Sequence, residues 1–203
     1  IFPLIFILLW SSAFITTKPI VDNSDPFSAL AFRFFFVAIG FYLFCIYSNH
    51  SIIIRRKNLI ESVLSGVLFH GLYLGGVFYS ISIGMPTGIA ALIVTLQPIL
   101  TNILSGPMLD EKVSYKQWIG ILLGFVGAAL VLGVDIGSNI PLSGLIATIV
   151  ALISITISTI WQKKLSNNLP LAVSNFYQAL GGCFFHILII IFIAETYIDF
   201  TKT

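Results

Sequence analysis

Two cationic side chains lie near the same end of neighbouring apolar segments. Lys18 closes the first segment, and Arg33 lies about 10 Å inside the second, counted from Pro26 at about 1.5 Å per residue. A guanidinium binds a carboxylate through two parallel hydrogen bonds, so this arrangement predicts a cationic site for carboxylate-bearing metabolites such as amino acids. The alternative is structural: Asp22 or Asp25, in the intervening loop, would tie the two segments together through Arg33.

A second group of polar residues surrounds a proline in the middle of an apolar segment. Pro98 has no N–H to donate to the Val94 carbonyl, so it bends a helix at this point. Thr95, Gln97 and Thr101 stand beside it. A bend next to polar groups at mid-membrane depth predicts a substrate cavity and an element that can rock. The alternative is a tolerated kink in which threonine bonds back to the backbone.

Two histidines, His70 and His186, lie inside apolar runs. Ionisable groups in a bilayer are candidates for function, although a neutral histidine bonded to a neighbouring helix is cheaper to bury, and we favour that structural role. The sequence contains no HExxH, GxSxG or phosphate-binding P-loop pattern. We therefore expect no catalytic residue, no metal, no cofactor and no direct use of ATP.

Composition indicates which elements must hold these residues. The chain is 58% hydrophobic and 9% charged, with a mean hydropathy of +1.04, whereas soluble domains carry about 25% charged residues. Lipid must therefore be the main solvent, and the fold class is predicted to be an all-α polytopic membrane protein. A net charge of +2 argues against nucleic acid as a partner.

Charges, glycines and prolines divide the sequence into about seven transmembrane helices, each close to the ~20 residues that a span requires. The predicted bounds are 1–21, 26–47, 62–83, 88–109, 117–134, 142–161 and 172–194.

Lysine and arginine occur in alternate loops. They cluster at 55–57, at Lys112 and Lys116, and at 163–164. The positive-inside rule places these loops in the cytoplasm, and with them the N-terminus, in a plasma membrane or bacterial inner membrane.

The second half of the chain repeats features of the first. Pro170 follows Pro26 by 144 residues, and Gln178 follows Arg33 by 145. Units with an odd number of spans are inverted relative to each other, so the repeat predicts two five-helix units of opposite orientation. Chance recurrence of proline at helix starts is the alternative.

This repeat predicts two domains: 1–134 as a first five-helix unit and 141–203 as the start of a second. We expect three further spans beyond Thr203 and no transport by the seven-span chain alone.

Several stretches, taken in order, resemble the EamA-type carriers of the drug/metabolite transporter superfamily. The first span contains W-S-S-A-F from Trp10 to Phe14, similar to that family's W-[GS]-[ST]-x-[FW] pattern. "DPFSALAFRF", the run from Tyr79 to Leu92 and "TLQP" are similar to its second, third and fourth helices. The best match is "DEKVSYKQWIGILLGFVGAALVL", with its acidic loop residue Glu111 and fifth-helix glycines.

The resemblance implies ten helices in two inverted repeats, a central cavity and alternating access. We therefore predict a secondary transporter of small metabolites, with the lipid bilayer as its surroundings and a homodimer as an open possibility. A membrane-embedded enzyme and a non-transporting scaffold are the alternatives. The candidate substrate contacts are Trp10, Lys18, Arg33, Tyr79, Thr95, Gln97, Pro98 and Gln178.

Glycines at helical spacing are assigned to packing rather than to substrate. Gly71 and Gly75 form one such pair, and Gly120, Gly124 and Gly127 form a second series. Small residues let helix backbones approach closely in lipid, where no hydrophobic effect drives association.

Overall fold

The computed structural model describes residues 2–109, 114–132, 140–166 and 169–192, and within these ranges the regular structure is helical, without strands. Nine α-helices occur in the described ranges, and a π-helical segment, Val67–Tyr73, joins the third to the fourth. The helices are α1 (Phe2–Asn23), α2 (Pro26–Tyr47), α3 (Arg56–Gly66), α4 (Leu74–Ser82), α5 (Thr87–Val94), α6 (Gln97–Leu109), α7 (Tyr115–Leu132), α8 (Leu142–Ser166) and α9 (Leu171–Phe192).

The helices confirm the predicted all-α polytopic membrane fold. Helix α3, the π-helical segment and α4 form one continuous rod, and α5 and α6 follow each other across a short interruption, so the described residues form seven consecutive rods. Five stretches are long and apolar enough to cross a membrane by length and composition: Pro26–Tyr47, Arg56–Ser82, Thr87–Leu104, Leu142–Leu165 and Leu171–Phe192.

The third rod begins earlier than predicted. It starts at Arg56 rather than at residue 62. The prediction was wrong because it placed the charged side chains of the first turns in a loop, whereas they belong to the helix. Lys57 and Glu61 are paired along this helix at 3.9 Å, and the Lys57 side chain is largely exposed. Helices extend beyond the hydrocarbon core when their charged ends can reach water, so a boundary drawn at the last charge is too late.

Prolines and an acidic cap set the starts of three helices. Pro26 is the first residue of α2, and the Asp25 carboxylate accepts a hydrogen bond from the Ser28 N–H at 2.7 Å. Pro141 and Pro170 directly precede α8 and α9. The first residues of a helix have no intrahelical acceptor for their N–H groups, so proline is tolerated there.

The rod formed by α3, the π-helical segment and α4 lies at the centre of the packing. Helix α9 packs along it and also against α2, while α8 packs along it and also against α5 and α6. Helix α1 contacts α4, and α7 contacts α5 and α6. The largest buried apolar cluster forms where α4 meets α8, around Val77, Ile81, Ala151 and Ile155.

Glycines allow the central rod to approach α9 closely. A methyl group added at Gly66 would collide with the backbone of Gln178, and one added at Gly181 would collide with the Val63 carbonyl. The α3–α9 contact is therefore made backbone against backbone, which requires glycine on both helices.

The predicted packing role of Gly71 and Gly75 is confirmed. A Cβ on Gly71 would lie 2.8 Å from the Phe185 ring, and one on Gly75 would lie 3.0 Å from Cε1 of His186. In contrast, a Cβ added at Gly120, Gly124 or Gly127 on α7 would have nothing within 4 Å in the described part of the chain. The packing predicted for this second series therefore has no partner among those residues.

Where a bend in one helix was predicted at Pro98, the structure has an interruption between two helices. Helix α5 ends at Val94 and α6 begins at Gln97, so the break falls just before the proline. This position follows from the clash between a proline ring and the preceding residues of a helix. The Thr95 hydroxyl donates to the Leu92 carbonyl at 2.6 Å, which is the backbone bonding expected of a tolerated kink.

Candidate functional site

Helix α8 carries a row of neutral polar side chains on the faces that meet its neighbours. The row consists of Ser158, Thr159 and Gln162, and we call it the α8 polar row. Its members contact residues of α3, α6 and α9 respectively. Three helices from different parts of the chain therefore converge on two turns of α8.

Thr159 connects α8 to α6. The Gln97 side-chain amide donates to the Thr159 hydroxyl at 2.9 Å, and this hydroxyl donates in turn to the Ile155 carbonyl at 2.8 Å. The hydroxyl thus uses its single hydrogen within α8 and its lone pair toward α6. Gln97 is the first residue of α6, so this bond joins α8 to the helix start that follows the interruption.

Gln162 connects α8 to α9 through a chain of side-chain amides. Its Nε2 donates to Oε1 of Gln178 at 2.7 Å, and Nε2 of Gln178 donates to the Ser174 hydroxyl at 2.9 Å. Gln178 is 3% exposed. A buried amide needs such partners, because an unpaired polar group in an apolar environment is costly.

Ser158 connects α8 to α3. The Ser158 hydroxyl donates to the Ser65 carbonyl at 3.0 Å, and the two hydroxyl oxygens also lie 3.0 Å apart. Since Ser158 spends its hydrogen on the carbonyl, the Ser65 hydroxyl is the donor between the two side chains. Both residues are fully buried.

Two further hydroxyls near the row are buried without a hydrogen-bond partner among the described residues: Ser62, one turn before Ser65, and Thr101, one turn after Gln97. The α8 polar row and its partners contain no charged side chain. The arrangement offers donors and acceptors that can exchange partners with a polar solute. Such neutral donors and acceptors are the polar groups that orient a solute in a binding site.

The structure brings Gln97 and Gln178 of the predicted site to the same region of α8, through Thr159 and Gln162, which are one turn apart. Thr95 lies in the interruption, where its hydroxyl donates to the Leu92 carbonyl of the preceding turn.

Two more predicted contacts lie elsewhere. Pro98 is exposed. Tyr79, on α4, is partly buried and stacks on Phe27 with ring centres 6.2 Å apart.

The two predicted cationic residues have separate surroundings. Lys18 is exposed and forms an ion pair with Asp22 at 3.2 Å along α1. Arg33 is exposed, and its guanidinium carbon lies 5.8 Å from the centre of the Phe34 ring. No ion pair joins Arg33 to Asp22 or Asp25, all three of which are described, so the alternative of a salt bridge between spans 1 and 2 through Arg33 is wrong for this arrangement.

Two sequence predictions fall outside what the structure describes. Trp10 lies in α1, but its side chain is not among the described ones, and Glu111 falls in the undescribed range 110–113. Among the described residues, no group of three or more histidine, cysteine, aspartate or glutamate side chains is placed to hold a metal ion.

The α8 side of this site was not predicted from the sequence. Thr159 and Gln162 are three residues apart, a spacing that puts them on one helix face, and they follow Ser154, Thr156 and Ser158 within an otherwise apolar run. That density of polar residues within one span was the available signal.

Comparison with known proteins shows similarity to transporters over most of the chain. The model of the EamA-like transporter family matches residues 1–133. A protein of Salmonella typhimurium named "Probable amino-acid metabolite efflux pump" is 25% identical over 173 residues, which are 82% of this chain and 54% of that protein. The Escherichia coli protein of the same name is 25% identical over 81% of this chain and 53% of its own length.

A third relative, "Uncharacterized transporter YvbV" of Bacillus subtilis, is 30% identical over 106 residues, which are 52% of this chain and 33% of that protein. The chain thus spans about half the length of the two efflux-pump relatives, and a smaller share of the third is matched.

Proposed function

The chain belongs to the EamA-like transporter family, and we propose that it serves in a secondary carrier that moves small polar metabolites across a membrane by alternating access. The family and the transporter names of its relatives point to transport rather than catalysis. The whole carrier's activity and substrates are part of this proposal.

The observation that carries the proposal is the α8 polar row. It links α8 to α3, α6 and α9 within the membrane-spanning part of the fold, through neutral side chains whose hydrogen bonds can be exchanged. Polar groups inside transmembrane helices face the bundle interior or a substrate path, because lipid cannot solvate them. In our proposal a solute replaces some of these bonds when it occupies the carrier.

The interruption between α5 and α6 supplies a second support. Non-helical backbone at membrane depth is tolerated where it is buried in protein or lines a cavity. Gln97 begins α6 directly after this interruption and reaches Thr159. We propose that a change in the α5–α6 angle makes or breaks this bond as the carrier changes its accessible side.

For the substrate class we propose amino acids and related carboxylate-bearing solutes. Two relatives carry the name "Probable amino-acid metabolite efflux pump". Arg33 is exposed and forms no ion pair with a described carboxylate, so its guanidinium can receive a carboxylate from a solute.

For the arrangement in the membrane we propose the inverted-repeat interpretation with a cytoplasmic N-terminus. The family match ends at residue 133, next to the proposed end of the first unit at 134. The basic residues at 55–57 and 163–164, which lie at helix ends, are separated by an even number of spans, as a shared cytoplasmic side requires.

The test is solute counterflow by the full-length protein in proteoliposomes. Vesicles are loaded with one unlabelled amino acid at a time, and entry of the labelled form is followed. A carrier gives saturable, transient accumulation that depends on the internal solute. Flux equal to that of protein-free vesicles for every amino acid and carboxylate tested would remove the proposed substrate class.

A further inference from the structure

Two histidines lie close together where α2, the π-helical segment and α9 pack against each other. His186, on α9, places its Nε2 2.9 Å from the backbone carbonyl oxygen of His70. A carbonyl only accepts hydrogen bonds, so Nε2 of His186 carries the hydrogen. In the neutral ring the other nitrogen, Nδ1, is then an unprotonated acceptor.

The π-helical segment presents this carbonyl. In an α-helix the Leu74 amide would donate to the His70 carbonyl, but here it donates to Phe69 and Gly71. His186 bonds to the oxygen that this shift in register leaves available.

Two glycines make room for the imidazoles. A methyl group at Gly75 would lie 3.0 Å from Cε1 and 3.7 Å from Nδ1 of His186, and one at Gly182 would collide with Cβ of His70.

Aromatic rings enclose both imidazoles. The Phe34 ring contacts both, with its centre 4.4 Å from the His70 ring centre and 6.1 Å from that of His186. Phe27 lies 6.1 Å from the His186 ring, and Phe69 lies 5.0 Å from the His70 ring. Aromatic rings attract a positive charge that lies over their faces, so an imidazolium that turned toward one of these faces would be attracted to it.

The Nδ1 atoms of both histidines are buried and have no hydrogen-bond partner among the described residues. Leaving a buried polar atom unpaired costs free energy, so two such atoms in one enclosure call for a function. Histidine is the side chain that exchanges a proton near neutral pH, and an unpaired Nδ1 is an open position for that proton.

The two charged side chains near the pair, Arg33 and Asp25, are of opposite sign. The helices packed around the pair contain no carboxylate that could bind the proton instead. The titratable or charged neighbours are Arg33 and Asp25 from α2, Tyr73 from the π-helical segment, Tyr79 from α4 and Cys183 from α9. Helix α8 has no titratable side chain before Lys163. No aspartate or glutamate occurs in 62–109 or in 142–192.

We propose that His70 and His186 form a single proton-binding site that couples solute movement to proton movement, an inference that rests on the proposed carrier function. The proton adds to an Nδ1 lone pair and leaves from the same atom. One charge is held at a time, because two imidazolium ions in one enclosure repel each other. The new N–H finds no acceptor among the described residues in the present arrangement, so proton binding favours a different placement of the π-helical segment against α9.

The first arm of the test uses the full-length protein in proteoliposomes. His186→Gln retains an N–H that can bond to the His70 carbonyl but cannot hold a proton near neutral pH, and His70→Gln tests the second ring. An imposed pH gradient should drive accumulation by the natural protein, and each substitution should reduce this accumulation at least tenfold while counterflow continues. His50→Gln is the matched control, because His50 is exposed in the loop after α2.

Three outcomes are distinguished. Gradient-driven accumulation that is equal in the natural protein, His70→Gln and His186→Gln overturns the coupling but leaves the carrier intact. Counterflow without any response to the pH gradient does the same. The absence of counterflow in the natural protein contradicts the carrier assignment and the coupling with it.

A second experiment measures proton binding directly and needs neither a transport assay nor a substitution. The ring nitrogens of ¹⁵N-histidine in the natural protein are followed by NMR in lipid between about pH 4 and pH 8. One of the two buried rings, His70 or His186, should convert to imidazolium over this range. Two buried rings that both keep one protonated and one unprotonated nitrogen throughout would overturn the proposal.

Discussion

At the scale of single residues, α8 contains two threonines that make the same backbone contact but different side-chain contacts. Thr148 and Thr159 each donate to the carbonyl four residues earlier, at 2.8 Å in both cases. Thr159 alone of the two accepts from Gln97. Substituting each threonine in turn therefore distinguishes the effect of losing a hydroxyl on α8 from the effect of losing the hydrogen bond between α8 and α6.

We expect Thr159→Val to weaken the apparent affinity for the transported solute about three- to tenfold, because one neutral hydrogen bond contributes about 0.5–1.5 kcal/mol. Thr148→Val should leave this affinity unchanged. Initial counterflow rates over a range of solute concentrations measure both. Equal effects of the two substitutions would mean that Thr159 acts only within its own helix.

Arg33 gives a second prediction at this scale. Arg33→Lys should fold and insert normally but weaken apparent affinity about tenfold, since a lysine ammonium cannot form the two parallel bonds of a guanidinium. Asp22→Asn should leave affinity unchanged, because Asp22 pairs with Lys18 and not with Arg33. If Asp22→Asn reproduces the Arg33→Lys loss, a structural tie accounts for both residues.

The sequence predicted the site residues that lie opposite α8 but not those on α8 itself. Gln97 and Gln178 are conspicuous in apolar runs, and both were predicted as contacts. Their partners Thr159 and Gln162 were not, because threonine in a membrane helix usually satisfies itself on the preceding turn and gives no local sign of a second bond.

At the scale of helices, the α3–α9 contact depends on glycine at defined positions. Gly66→Ala should lower the thermal unfolding temperature of the detergent-solubilised protein, because the added methyl group collides with the Gln178 backbone and overpacking costs about 1–3 kcal/mol. Gly124→Ala is the control, since a methyl group added there meets open space among the described residues. A lower unfolding temperature for Gly124→Ala than for Gly66→Ala would contradict this assignment of the packed helix face.

Charges and prolines predicted the helices well and their ends less well. Pro26, Pro141 and Pro170 mark helix starts because a helix tolerates proline there. The start at Arg56 was missed because charged ends extend past the lipid. The π-helical segment was not predicted at all, since the His70 carbonyl finds its partner on His186, 116 residues away, and no local pattern reports such a contact.

At the scale of the whole molecule, the orientation is testable at two exposed serines, Ser51 and Ser82. Ser51→Cys, in the basic loop before α3, should resist a membrane-impermeant thiol reagent in intact cells and react after permeabilisation. Ser82→Cys, at the end of α4, should react in intact cells. The reverse pattern would overturn the cytoplasmic N-terminus and, with it, the proposed arrangement of the repeats.

The central claim is that the solute binds at the α8 polar row. Equilibrium binding to the double variant Gln162→Leu/Gln178→Leu tests this claim most directly. Replacing both partners of the 2.7 Å bond avoids leaving one amide unpaired against the other, so the variant should remain folded. Labelled solute identified by counterflow is titrated against the purified full-length protein and the variant. We predict that the variant binds the solute at least tenfold more weakly and has the same thermal unfolding temperature as the natural protein. Unchanged affinity in that folded variant would show that the solute binds elsewhere.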